Sequence, residues 1–169
     1  MATPTEHPSP RYVELADVAA LHEAVDRVAR EERYLAITRA QPVAQIEGWV
    51  RDQMAARAPL YVVPKGARVV GWSNVMLGRF SRSHVGYLGM GVVAGHRGQG
   101  LGRALLRAAV DHAFLTNGLE KIELEVLADN PVAIGLYLAE GFEREGVRRR
   151  TVRLRGEALD LVLMGRFRD

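Results

Sequence analysis

Three glycines on alternate positions, Gly98, Gly100 and Gly102, could bring an anionic ligand close to the backbone of this chain. They lie where an apolar run, typical of a strand, gives way to a helical pattern. The start of a helix offers unpaired N–H groups and a positive dipole end to an anion, and Arg97 and Arg103 add positive charge. The spacing therefore predicts a phosphate-binding turn. A glycine-rich turn that binds nothing is the alternative.

The residues around the turn argue against two familiar nucleotide loops. A nucleotide-hydrolysing phosphate loop closes with Lys followed by Ser or Thr, whereas Leu-Gly-Arg follows Gly100 here. A dinucleotide-binding fingerprint needs G-x-G-x-x-G early in a strand-helix-strand unit, and this turn lies past the middle of the chain. A nucleotide-binding domain is therefore disfavoured. The pattern to be explained is Arg97-x-x-Gly100-x-Gly102.

A second segment with chemical potential follows one helix and one strand after the turn. Its Asp-Asn-Pro start at residues 129–131 suits a helix cap and first turn, and Gly141-Phe142 suits the end of that helix. Tyr137 lies between them. With the glycine turn, this segment resembles the acetyl-CoA-dependent N-acetyltransferases of the GNAT superfamily. The resemblance covers roughly residues 60–166 and is most specific at about residues 84–143.

The resemblance implies acetyl-CoA as cosubstrate, no metal, and a place for each part of the cofactor. Its pyrophosphate would lie on the glycine turn, and its pantetheine would pair with the preceding strand. The N–H of Met90 would face the thioester oxygen, Asn130 would contact the pantetheine, and Tyr137 would protonate the departing thiolate. The alternatives are a strand bent for packing, a helix cap and a tyrosine packed on the sheet. The implied cofactor-binding residues are Met90, Gly91, Val92, Arg97, Gly98, Gln99, Gly100, Leu101, Gly102, Arg103, Asn130, Ala133 and Tyr137.

The group that takes a proton from the amine is left unassigned. The strand before the glycine turn carries no carboxylate, so the candidates are Glu31, Glu32, His84 and Glu125, each of which also suits a structural role. His96, next to the turn, fits a position at the solvent edge. Acceptor recognition is equally open, and Trp72 suits a cleft and the core equally. The candidate acceptor residues are Glu32, Tyr34, Trp72, Asn74 and Tyr87.

Length and composition predict one domain over residues 1–169, with residues 1–10 flexible. The chain has 169 residues, 48% hydrophobic and 25% charged, which is enough for a core. No apolar run approaches the roughly 20 residues of a membrane span, and the N-terminal residues do not resemble a signal peptide, so we expect a cytoplasmic protein. With no cysteine, disulfides, thiolate metal sites and cysteine nucleophiles are excluded. A net charge of +3 suits an anionic cofactor better than a nucleic acid.

Hydrophobic periodicity predicts the elements that position these residues. Helices are expected at residues 17–30, 42–56 and 100–116 and between Pro131 and Gly141; strands are expected at 12–15, 60–63, 68–75, 84–93, 121–126, 143–154 and 159–166. With the resemblance, this order predicts an α/β (α+β) class, a GNAT-like fold with a central mixed, mostly antiparallel sheet of about seven strands flanked by about four helices.

The leading hypothesis is an N-acetyltransferase that moves the acetyl group of acetyl-CoA to a primary amine of a small molecule or amino acid by direct attack. The closest resemblance within the superfamily is to bacterial enzymes that act on small amines, including amino-acid and phosphinothricin acetyltransferases. Two alternatives stay open: an acyl-CoA-binding or sensing module on the same fold, and an acetyltransferase for a protein N-terminus or lysine. We expect a homodimer, and neither nucleic acid nor membrane as a partner.

Overall fold

A seven-stranded sheet forms the centre of the computed structural model, which describes residues 9–168. The strands are β1 (Arg11–Tyr12), β2 (Leu60–Lys65), β3 (Arg68–Leu77), β4 (Val85–Val92), β5 (Lys121–Leu127), β6 (Glu143–Leu154) and β7 (Glu157–Phe167). They lie in the order β1-β2-β3-β4-β5-β7-β6, and only β4 and β5 are parallel neighbours in this part of the chain. The predicted fold class, with its mixed and mostly antiparallel sheet, is confirmed.

Two helices cover each face of the sheet: α1 (Val18–Arg30) and α2 (Val43–Ala55) on one, α3 (Leu101–Asp111) and α4 (Pro131–Ala139) on the other. The faces follow from strand alternation, because successive side chains point to opposite sides. In β5, the apolar side chains of Ile122, Leu124 and Val126 are buried towards α3 and α4, whereas Glu123 and Glu125 lie on the α1/α2 face. None of the helices within residues 9–168 is both long and apolar enough to cross a membrane.

Two elements differ from their predicted bounds for local reasons. The first strand ends at Tyr12, and a short 3-10 turn follows at Leu15–Asp17 because the Asp17 carboxylate accepts from the Glu14 N–H at 2.8 Å and is held by Arg11. The third predicted helix is regular only to Asp111 and continues as a π turn over His112–Thr116.

Three predictions are left open by the fold. Flexibility of residues 1–10 concerns mainly residues 1–8, which lie outside the described residues. The single domain over residues 1–169 stays a prediction. The homodimer does so too, although β6 is an edge strand of the sheet and its side chains are mostly exposed.

The parallel pair in the sheet separates soon after it forms. β4 and β5 are paired only from Val85 to Tyr87 and from Lys121 to Glu123. Beyond these residues β4 stays paired with β3 up to Val92, and β5 stays paired with β7 up to Leu127. An opening therefore lies between residues 88–92 of β4 and residues 124–127 of β5, and α3 and α4 follow the strands that flank it.

Candidate active site

The glycine turn presents a row of unpaired backbone donors. Gly98 and Gly100 have φ angles of 71° and 81°, a left-handed conformation that favours glycine, and a Cβ at either position would meet nothing within 4 Å. The N–H groups of Gly98 and of residues 100–103 donate to no carbonyl or side chain within residues 9–168. Five donors at the N-terminus of α3 are therefore free to bind an anion.

The two arginines expected to strengthen this site are held by carboxylates. Arg97 donates to Glu31 through both terminal nitrogens, at 2.8 and 2.6 Å, and its Nε donates to the Val92 carbonyl at 2.7 Å. Arg103 pairs with the buried Glu140 at 3.0 Å. Glu31 balances the charge of Arg97, whereas Arg103 shares the single Glu140 carboxylate with Arg107, so a net positive charge stays near the start of α3. The backbone donors add to this charge in attracting an anion.

The unpaired edge of β4 is defined by its register with β3. The N–H of Gly78 donates to the Val85 carbonyl at 2.8 Å, and the N–H of Val93 donates to the Val70 carbonyl at 2.9 Å. Because antiparallel strands alternate the direction of their backbone groups, odd-numbered residues of β4 bond to β3. The Leu88 N–H points towards β5 and pairs with Glu123 at the end of the parallel segment, whereas the N–H groups of Met90 and Val92 point into the opening, where no β5 partner pairs with them within the described residues.

Two of the three glycines of β4, Gly89 and Gly91, are explained by packing on the α1/α2 face. A Cβ on Gly91 would lie 2.4 Å from the Trp72 ring, and one on Gly89 would lie 3.0 Å from the Asn74 side-chain oxygen. Trp72 and Asn74 are only 5% and 7% exposed. Of the two interpretations of Trp72, the structure places it in the core beneath β4.

Tyr137 is buried at the opposite face of the opening. It lies on α4, whose first turn is capped by the Asn130 side chain accepting from the Ala133 N–H at 3.2 Å. The Tyr137 ring packs 5.8 Å from that of Phe142, and its hydroxyl makes no hydrogen bond within residues 9–168. Burial raises the pKa of Tyr137 well above its ordinary value, and the nearby Tyr87 raises it further. Tyr137 is therefore a neutral donor at any physiological pH.

Tyr87 and Glu125 meet Tyr137 where β4 and β5 separate. Burial first, then the charge and hydrogen bond of Glu125, raise the pKa of Tyr87 to about 12. Arg148 of β6 holds the Glu125 carboxylate at 2.5 Å from the other side. Two neutral phenols and one carboxylate thus lie together at the end of the paired segment.

The structure separates the candidates for the proton acceptor. The Glu31 carboxylate is occupied by Arg97, and Glu32 accepts from the N–H of Arg155 at 2.9 Å. His84 is exposed before β4, at the paired end of the parallel strands. Among these candidates, Glu125 alone lies at the opening.

The partly buried His96 lies beside the glycine turn, where its backbone N–H donates to the Val93 carbonyl.

The remaining predicted residues take mainly supporting positions. Gln99 donates to the Gly95 carbonyl at 3.2 Å, and Leu101 is buried against β2 and β3. A Cβ on Gly102 would lie 3.5 Å from Leu136, an ordinary contact. The Tyr34 ring lies 4.1 Å from the Arg97 guanidinium and stacks on it.

No group of three or more Asp, Glu or His side chains within residues 9–168 is placed to hold a metal ion.

The structure adds two features that the sequence interpretation missed. One is the Arg148–Glu125 pair, which depends on the position of β6 across β7. The other is a cleft of about 530 Å³ on the α1/α2 face, lined by α2, the β3–β4 connection and Tyr87. The sequence contains the residues that connect β3 and β4, but no local pattern in it predicts that this connection lies opposite α2.

Residues 23–142 match the Acetyltransferase (GNAT) family. The chain belongs to this family. The match includes the glycine turn, the opening and α4, so the GNAT resemblance predicted from the two motifs is confirmed.

Two relatives of this GNAT chain are named N-acetyltransferases. It is 38% identical over 92 residues to the N-alpha-acetyltransferase RimI of Mycobacterium tuberculosis, a match covering 54% of this chain and 56% of that protein. It is 33% identical over 87 residues to the L-amino acid N-acetyltransferase AaaT of Escherichia coli, covering 52% and 54%. The chain thus spans little more than half the length of these relatives.

Solved structures share the fold at low identity. The Salmonella typhimurium protein yncA, solved with its cofactor acetyl-CoA, has a TM-score of 0.87 at 22% identity, covering 95% of this chain and 94% of that one. A GNAT superfamily phosphinothricin acetyltransferase from Sinorhizobium meliloti, solved with acetyl-CoA, has a TM-score of 0.87 at 20% identity, covering 95% and 88%. These similarities establish the GNAT fold for the whole described sheet.

Replacing Gly100 by Ala tests the glycine turn of this GNAT chain. A Cβ at a left-handed residue costs about 1–2 kcal/mol of folding free energy, and relaxing that strain turns the free N–H groups away from a common target. Gly66→Ala is the matched control, because Gly66 also has a positive φ, 59°, with open space around it, but lies in the β2–β3 turn. Urea unfolding should show similar destabilisation in both variants. Calorimetric titration with acetyl-CoA should show weaker binding only in Gly100→Ala; equal binding by both would contradict the assignment.

Proposed function

We propose that this chain is an N-acetyltransferase that transfers the acetyl group of acetyl-CoA to a primary amine of a small molecule or amino acid by direct attack. The observation that carries the proposal is one juxtaposition. Unpaired N–H groups of β4, free N–H groups at the start of α3, and the buried Tyr137 all border the same opening in the sheet. Family membership and the names of the relatives support an acyltransferase.

The residues present fit acetyl-CoA along its length. Five free N–H groups and a helix N-terminus suit a pyrophosphate, and the alternating donors of Met90 and Val92 suit the amide carbonyls of a pantetheine chain. The carbonyl of Val92 is already bonded to Arg97, which limits the register in which a ligand can pair there. When bound, acetyl-CoA supplies the acetyl thioester, and the Met90 N–H is our proposed donor to its oxygen.

Tyr137 is proposed as the proton donor to the leaving sulfur. As the new C–N bond forms, the C–S bond breaks and the sulfur takes up a proton. The raised pKa of Tyr137 makes its phenol a weaker acid than a free tyrosine. The same burial also raises the proton affinity of a thiolate formed beside it. The pKa values of the donor and the acceptor therefore shift in the same direction, and burial does not oppose the proton transfer.

Glu125 is proposed as the group that takes the proton from the amine, directly or through a water molecule. It lies at the opening on the α1/α2 face, and among the carboxylates near Tyr87 it raises the pKa of that phenol most. Arg148 positions it without enclosing it, since the Glu125 side chain keeps 21% of its surface exposed. An amine arriving from this face would meet the carboxylate before the thioester.

Tyr137→Phe tests the proposed proton donor. The variant keeps the ring that packs on Phe142 and removes only the hydroxyl, so acetyl-CoA should bind with unchanged affinity by calorimetry. The turnover number, measured as thiol release with an acceptor found by screening amines, should fall roughly 10²–10⁴-fold. Unchanged turnover would remove Tyr137 from the mechanism. Normal acetyl-CoA binding without transfer to any amine in the unchanged protein would favour a sensing module instead.

Glu125→Gln tests the proposed base through its pH dependence. An amine with a pKa of about 10 is mostly protonated at neutral pH, so the variant should depend on the small free-amine fraction. Its kcat/KM should be reduced roughly 10²-fold at about pH 7, and the deficit should shrink as the pH approaches about 10. Glu120→Gln, an exposed carboxylate just before the same strand, should leave the profile unchanged. A deficit that is constant with pH would assign Glu125 a positioning role only.

A further inference from the structure

The cleft beside Tyr87 has the features of a recognition site for one class of acceptor. We propose that the acceptor is an amine that also carries a carboxylate and an apolar body, as an apolar α-amino acid does, and that Arg79 binds the carboxylate. This inference rests on the proposed function, because it takes Tyr87 and Glu125 as the end of the cleft where the amine reacts.

The position of the cleft connects it with the reacting centre. Its walls are α2 on one side and the ends of β3 and β4 on the other, and Tyr87 lies among its lining residues. Tyr87 pairs with Glu123 in the sheet, and both line the cleft; Glu125 follows two residues further along the same face of β5, at the opening between β4 and β5. A ligand in the cleft would therefore present one end to the proposed catalytic groups.

The cleft offers apolar surface that the core leaves partly uncovered. Trp49 of α2 is only partly buried, and Met76 at the end of β3 keeps 44% of its surface exposed although it faces the cleft. An aromatic ring and a flexible thioether on opposing walls suit an apolar side chain of variable shape. The volume of about 530 Å³ is ample for a single amino acid.

The charges in the cleft favour a carboxylate over a second ammonium group. Glu123 is neutralised by Arg82 at 2.6 Å and by Lys121 at 3.0 Å. Arg79 forms no ion pair within residues 9–168, so its guanidinium is available to a ligand. A polyamine would need several unpaired carboxylates. Two acidic residues line the cleft, and within residues 9–168 only the Asp52 carboxylate has no ion-pair partner.

The loop that carries Arg79 is fixed before any ligand arrives. The Gly78 N–H donates to Val85, and a Cβ on Gly78 would lie 2.1 Å from the Arg82 carbonyl oxygen, so no other residue fits there. The Arg82 N–H in turn donates to the Arg79 carbonyl at 3.0 Å. Phe80 keeps a strained φ of 54° with its side chain 93% exposed. A loop held this tightly presents Arg79 with little ordering cost on binding.

Matched pairs of ligands test the proposal by binding alone. The probes are L-phenylalanine, L-leucine and L-methionine, each compared with its amino alcohol, which keeps the amine and side chain but lacks the carboxylate. They are titrated calorimetrically into the full chain saturated with CoA. At least one amino acid should bind roughly ten- to a hundredfold more tightly than its alcohol, the usual range for a charge-assisted pair. Arg79→Gln should abolish that difference.

The controls separate this inference from the proposed function. Arg68→Gln removes an exposed arginine at the far end of β3 and should preserve the preference for the amino acid. Equal binding of acids and alcohols, an unchanged preference in Arg79→Gln, or no binding of any probe would overturn the inference while leaving acetyl transfer intact. Failure of CoA itself to bind would instead overturn the proposed function.

Discussion

The short pairing between β4 and β5 is the constraint on which the rest of the site depends. A sheet normally satisfies the N–H and C=O groups of its strands, yet these two strands are joined over only three residues each before they separate. The unpaired groups of β4 need partners from outside the sheet. Because α3 follows β4 and α4 follows β5, both helices begin at the same opening and bring the glycine turn and Tyr137 to it.

The electrostatics of the site come from the backbone as well as from charged side chains. Arg97 is paired with Glu31, and Arg103 shares Glu140 with Arg107, so the free N–H groups at the start of α3 act together with a partly balanced positive charge. Such donors do not titrate, and their positions are set by the helix. At the other end of the opening, burial keeps the phenols of Tyr87 and Tyr137 neutral. The free backbone donors and the two neutral phenols thus lie at different ends of the opening.

Local sequence patterns predicted most of the fold and the elements that border the candidate site. Alternation in residues 121–127 and helical periodicity in residues 101–111 are short-range signals, and the structure has both elements close to the expected bounds. The glycine turn was equally readable, because positive φ angles at Gly98 and Gly100 require residues of that type. What local patterns could not predict is pairing across the fold. Arg97 meets Glu31 across 66 positions, and Arg148 meets Glu125 only through the order of the C-terminal strands.

Residue-resolved amide exchange by NMR, with and without CoA, tests most directly the claim that the opening in the sheet holds the cofactor. The register of β4 predicts an alternating result: exchange at Met90 and Val92 should slow on addition of CoA. Exchange at Gly89 and Gly91 should change little, because their N–H groups already bond to β3. Uniform protection along β4, or none, would show that CoA does not pair with this strand and would contradict the account.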